Sequence, residues 1–168
     1  MSNKINIEWA YNTLSICTIN DDKQDLISLL EIVQELQDPD DMSPLTFYTH
    51  APIPDMLVDT LGQDDEYTIE QCVKVTGCRS LYEYTMKNWG CVSDASDVNI
   101  VMQDDTTATY EFKTRSKPPM AWLKEISNQY PDIMFELTST NEFELWEEFE
   151  VVYVNGKEVV MQYSKRQP

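Results

Sequence analysis

The chain has 168 residues, 42% hydrophobic and 11% aromatic, and its 30 acids against 12 Lys and Arg give a formal net charge of −18. Such a length suits one domain with its own core, at about 150 residues per domain, and no apolar run approaches the roughly 20 residues of a membrane span. A field of that sign repels nucleic acid and anionic lipid and attracts basic protein surfaces.

The acid is unevenly spread. Residues 1–66 hold 14 acids and 2 bases, residues 67–131 hold 8 and 7, and residues 132–168 hold 8 and 3. The opening MSNKINIEWAY carries no apolar stretch or cleavage pattern, so the expectation is a cytoplasmic protein. Cys17, Cys72, Cys78 and Cys91 are then expected to be reduced thiols. They form no C-x2-C pair and share the chain with one histidine, His50, so neither a zinc site nor any other cofactor is expected.

In chain order, residues 4–19 read as a strand, with Ile5, Ile7 and Trp9 alternating on odd positions and Leu14 and Ile16 on even ones. That switch of parity predicts a bulge or break near Tyr11–Thr13. Leu26, Leu29, Leu30, Val33 and Leu36 form the stripe of a helix over about 22–36, opened by Asp21 with Gln24 at capping-box spacing. The stretch 37–97 is irregular, with short helices expected at 53–61, 68–76 and 80–89.

Beyond it, Val98, Ile100 and Met102 alternate, as do Ala108, Tyr110 and Phe112, which predicts a β-hairpin. Pro118 and Pro119 open a helix with Trp122, Leu123, Ile126 and Tyr130 on its buried side, and Pro131 ends it. A strand follows at 133–137. A final hairpin spans about 143–163, turning at Asn155-Gly156, the favoured type I′ pair. Without 37–97, the order is strand, helix, strand, strand, helix, strand. This is an α+β, ferredoxin-like βαββαβ antiparallel sheet with its helices on one face, a helical insertion and a C-terminal β-hairpin, in one domain over 1–168.

Several short elements occur in a telling order: Asn12-Thr13-Leu14-Ser15-Ile16, Ala51-Pro52-Ile53-Pro54, Asn88-Trp89-Gly90, Phe112-Lys113-Thr114 with Pro118-Pro119, and Tyr130-Pro131-Asp132 with Phe135. Together they resemble the Api92-like family, also called the YubB ferredoxin-like family, of phages and conjugative plasmids. The chain departs from that pattern at Cys91-Val92-Ser93 and Arg115-Ser116-Lys117, where the family carries a lysine and tryptophans. The resemblance implies the ferredoxin-like fold and a mobile-element origin. It implies no catalytic residues.

The residues themselves mark no catalytic centre. A cysteine nucleophile would need a base, and His50 stands alone in Tyr48-Thr49-His50. Adjacent acid pairs such as Asp64/Asp65 and Asp104/Asp105 are what 30 acids produce by chance. Asp94–Asn99 lacks the glycine and distal glutamate of a calcium loop. An RNA-binding sheet needs exposed aromatics beside bases, whereas Tyr110 and Phe112 read as inward-facing.

The acidic surface is the remaining candidate, comprising Asp21, Asp22, Asp25, Asp38, Asp40 and Asp41 early in the chain and Glu142, Glu144, Glu148 and Glu150 late. The four glutamates fall on one face of a strand, opposite Phe143, Leu145, Phe149 and Val151. At about 6.7 Å between i and i+2, their spacing is close to that of successive phosphates on a nucleic-acid strand. The expectation is a non-catalytic protein that binds and inhibits a host protein with a basic surface, as a DNA mimic. A structural or assembly protein of a phage, in which the charge only solubilises, and a carboxylate- or metal-dependent enzyme stand as alternatives.

Overall fold

In the computed structural model, residues 8–20, 22–33, 43–61, 64–141 and 146–165 are described. Strand β1 (Trp9–Thr18) leads to helix α1 (Lys23–Val33). Next come a 3-10 turn (Asp55–Leu57), α2 (Glu66–Thr76) and α3 (Leu81–Asn88). The hairpin β2 (Ser96–Gln103) and β3 (Thr107–Arg115) precedes α4 (Met120–Gln129), β4 (Ile133–Asn141), β5 (Trp146–Val154) and β6 (Lys157–Lys165). The six strands form one sheet in the order β2-β3-β1-β4-β5-β6, and each neighbouring pair is antiparallel. The protein is a mixed α+β structure, and no described helix is long and apolar enough to cross a membrane.

One face of the sheet is covered. Leu14 and Ile16 of β1, Ala108, Tyr110 and Phe112 of β3, Ile133, Phe135 and Leu137 of β4, and Phe149 and Val151 of β5 are buried there. Leu26, Leu29, Leu30 and Val33 of α1 and Trp122, Leu123 and Ile126 of α4 complete the same core, at the spacings of the expected stripes. The turn between β5 and β6 places Asn155 and Gly156 at φ 51° and 67°, as a type I′ turn requires.

Two expectations need correction. No bulge interrupts β1, which pairs in continuous register from Trp9 to Cys17 with β3 and from Ala10 to Thr18 with β4. Even positions face the core throughout, so Ala10 and Asn12 are buried while Trp9 and Tyr11 lie on the open face. Asn12 is satisfied there by donating its amide to the Ala10 carbonyl and to Thr114 Oγ1, at 3.2 and 2.9 Å. The helix expected over 53–61 shrinks to the single 3-10 turn, α3 forms within its expected span, and α2 starts two residues before its own, capped by Asp65, which accepts the Thr68 amide.

The stretch 43–95 is tied into the core. Phe47 is fully buried against Trp89, Phe112 and Trp122, with ring centroids 5.9, 6.0 and 4.8 Å away. Asp94 fixes that segment by accepting the Phe47 and Ala95 amides, both at 2.7 Å, and the Thr46 hydroxyl. A smaller cluster of Leu57, Cys72 and Cys78 lies beneath α2 and α3, with Ile53 and Tyr84 against it.

Candidate functional site

At one end of the sheet three loops converge. The Thr18 amide bonds to the Thr106 carbonyl at 3.0 Å and the Ile19 amide to the Asp132 carbonyl at 2.9 Å, so the end of β1 sits between the β2–β3 turn and the start of β4. Asp22 caps α1 by accepting the Gln24 amide at 2.9 Å. Asp104 shapes its turn by accepting the Thr106 and Thr107 amides, both at 2.8 Å, which holds its carboxyl below the usual range. Asp132 accepts from Asn20 at 3.3 Å, and Lys23 pairs with Asp105. Asp104 and Asp105 thus lie beside Lys23, and Asp22 and Asp132 flank the same segment of chain.

Of the expected acidic set, Asp22 is exposed at this end and Asp25 is half-buried in the first turn of α1. Burial, then the charges of Asp25 and Glu31, push the Tyr130 phenol up. Glu148 and Glu150 lie across the sheet on the open face, because Phe149 between them is buried in the core. Asp25 on α1 and the pair Glu148 and Glu150 on the open face therefore occupy opposite sides of the sheet. Asp21, Asp38, Asp40, Asp41, Glu142 and Glu144 fall outside the described residues.

The open face joins more acid than periodicity indicated. Register sets Glu111, Thr13, Thr138, Glu150 and Gln162 in one row across five strands, with Ser15 between Thr109 and Glu136 in the next. At its other end the face changes sign. The Lys113 ammonium lies 5.6 Å from the centre of the Tyr11 ring, and the Arg115 guanidinium 5.7 Å from that of Trp9, both cation–π distances. Lys113 also pairs with Asp97 at 2.9 Å, which raises its pKa. The odd-position alternation of Ile5, Ile7 and Trp9 hides this aromatic–basic corner in the sequence. The clue was the even-position run Ala10, Asn12, Leu14, Ile16 taken whole.

No cluster of three or more metal-ligating side chains occurs among the described residues. The His50 ring nitrogens are buried without a protein hydrogen bond, and the ring stands edge-on to Trp122 at 6.5 Å. Cys91 is buried in the core, and burial followed by Asp94 pushes its thiol well above the ordinary value.

The short motifs meet as structural joints. The Trp89 indole donates to the Ala51 carbonyl at 3.1 Å, the Tyr84 hydroxyl to the Pro52 carbonyl at 2.7 Å, and the Trp122 amide to the Trp89 carbonyl at 3.2 Å. Gly90 has φ +86°, and a Cβ there would lie 2.9 Å from the Ala121 nitrogen at the start of α4. Beside this joint, between Gly90, Pro118, Met120, Phe149, Met161 and Tyr163, lies a mainly apolar groove of about 420 Å³, in which Lys117 is the one charged residue among the described lining.

This geometry defines an α+β protein with a half-covered antiparallel sheet and joints where short sequence motifs meet. A protein api92 from Yersinia pseudotuberculosis, of the DUF1281 family, has a similar crystal structure. The likeness covers 96% of this chain and 99% of that one at 10% sequence identity, with a TM-score of 0.54. At that identity it is the fold that the two share, in agreement with the resemblance to the Api92-like family carried by the motifs. No family model matches the chain, and no curated protein matches it.

Proposed function

We propose that this chain is a non-catalytic, phage- or plasmid-encoded protein that acts in the host cytoplasm by binding a host protein with a basic surface and inhibiting it as a nucleic-acid mimic. The observation that carries this reading is that loops bearing Asp22, Asp104, Asp105 and Asp132 meet around the end of β1, with Lys23 paired to Asp105, in a chain of net charge −18. Loops tied by backbone hydrogen bonds hold these carboxylates in place, so an incoming basic surface meets charge that needs little ordering. Glu111, Glu136, Glu148 and Glu150 on the open face form a second acidic surface. On this reading the order β2-β3-β1-β4 is a ferredoxin-like βαββαβ unit, with 37–97 as its insertion and β5–β6 extending one edge. The motif resemblance supports a mobile-element origin.

The test is capture of basic nucleic-acid-binding proteins from bacterial lysate, with duplex DNA as competitor and salt varied. One variant neutralises Asp22, Asp104, Asp105 and Asp132 to Asn, which keeps hydrogen-bond acceptors, and a second changes Glu148 and Glu150 to Gln. The expected result is capture that duplex DNA displaces, that salt weakens, and that one of the two variants loses. Capture unchanged by salt and by both variants sinks the mimic and leaves the charge as solubility.

A further inference from the structure

We infer that the cleft between α3 and the segment around Asp94 binds a small organic cation, an amine whose protonated nitrogen pairs with the Asp94 carboxylate while its apolar body fills the cleft. The cleft has a volume of about 450 Å³, within the range of small-molecule sites. Ile53, Leu81 and Val92 supply an apolar wall, and Tyr48 and Trp89 an aromatic one. Ser93 and Asp94 lie beside them, and no Lys or Arg is among the described lining.

Asp94 selects the charge of the ligand. The residue is half-buried, and its carboxylate accepts the Phe47 and Ala95 amides and the Thr46 hydroxyl. All three donors are neutral, and neither ion pair among the described residues includes Asp94. An ionised carboxylate offers about four acceptor positions, so room is left for a further donor. A charge partly withdrawn from water and lacking a counter-ion gains most when that donor is cationic. Ser93 adds a second acceptor. Its hydroxyl oxygen takes the Arg115 amide at 3.0 Å and has another lone pair to offer.

The remaining walls suit the same ligand. Tyr48 is 38% exposed and Trp89 only 2%, so the Tyr48 ring is the aromatic surface that an incoming apolar or cationic group can cover. The site is set before a ligand arrives. The Trp89 indole is tied to the Ala51 carbonyl at 3.1 Å and Asp94 to the Phe47 amide at 2.7 Å, so binding needs little ordering of the chain. This inference does not depend on the mimicry proposed above.

An NMR titration of the full chain tests it. The probe is phenethylamine, with phenethyl alcohol and hydrocinnamate as its neutral and anionic counterparts. The amine is expected to give saturable shifts at the amides of Tyr48, Leu81, Thr85 and Val92, with a dissociation constant on the order of 1 mM. The alcohol should bind about tenfold more weakly and the anion not at all. Asp94→Asn, which keeps an acceptor for the Phe47 amide, should weaken amine binding by about tenfold or more. Tyr48→Ala should weaken it by about threefold, and Glu70→Gln, exposed on α2, should leave it unchanged. Near-UV circular dichroism checks each fold, and Tyr48→Ala decides alone if Asp94→Asn does not fold. Shifts that never saturate, or that centre elsewhere, overturn the inference. So does an alcohol that binds as well as the amine, binding that every folded cleft variant keeps, or binding lost in Glu70→Gln.

Discussion

The Phe47 ring lies 4.8 Å from Trp122, tilted by 42°, although 75 positions separate the two residues in the chain. Phe47 is fully buried, so Phe47→Ala removes a large core side chain that its neighbours cannot fully replace. The expected cost is about 3–5 kcal/mol in chemical denaturation. Asp94→Ala, which strips the acceptor from the Phe47 amide, should cost about 1–3 kcal/mol. A smaller loss in both variants would mean that this segment rests on the core without supporting it.

The stretch 43–95 should not open as one unit. Amides around Phe47 and Trp89, packed into the main core, should exchange as slowly as those of β1 and β4. Those of α2, held by the small cluster of Leu57, Cys72 and Cys78, should exchange sooner. Native-state hydrogen exchange that finds the whole stretch uniformly fast would contradict this division.

Gly90 and Gly77 both have positive φ, +86° and +73°, yet their neighbours differ. A Cβ on Gly77 meets only Lys87 Nζ at 3.8 Å, so Gly77→Ala should cost about 1–2 kcal/mol for the left-handed backbone alone. A Cβ on Gly90 would stand 2.9 Å from the Ala121 nitrogen, so Gly90→Ala should cost more and lower the melting temperature further. Equal melting temperatures would show that the start of α4 can move aside.

Much of this was legible in the chain. Asn155-Gly156 announced its turn, and the stripes of α1 and α4 fell where their spacing placed them, because both signals are local. The orientation of β1 was misread at its start. Trp9 and Tyr11 are large and apolar yet face outward beside Arg115 and Lys113, while small Ala10 and polar Asn12 take the inner positions. Only partners about a hundred residues away settle that choice, through Thr114 for Asn12 and Arg115 for Trp9. The acidic end escaped notice for the same reason, since Asp104, Asp105 and Asp132 are brought to Asp22 by sheet register alone.

Thiol reactivity should be graded. Cys72, Cys78 and Cys91 are buried, Cys91 with its thiol pushed up by burial, and Cys17 is half-buried on the open face. A thiol reagent at mildly alkaline pH should label Cys17 first and all four after unfolding. Fewer than four groups in the unfolded, unreduced chain would reveal a bridge.

Asp104 has a folded pKa below its unfolded value near 3.9, owing first to the amides of Thr106 and Thr107. Its contribution to stability is complete above the unfolded value and is lost as pH falls through the folded one. Asp104→Asn should therefore narrow the stability difference between neutral pH and pH below about 4. Carboxyl NMR titration checks the sign, and an Asp104 titrating above free aspartate would refute it.

The central place of β1 also sets the order of events in synthesis. It is made first, yet both flanking strands come late, with Ser15 waiting 94 residues for Thr109. At about 5–20 residues per second, the ribosome leaves this strand without its neighbours for roughly 5–20 s. Such non-local pairing also folds slowly once the chain is complete. The 14 acids among residues 1–66 then act before any sheet exists, keeping nascent chains apart while their apolar strand is bare.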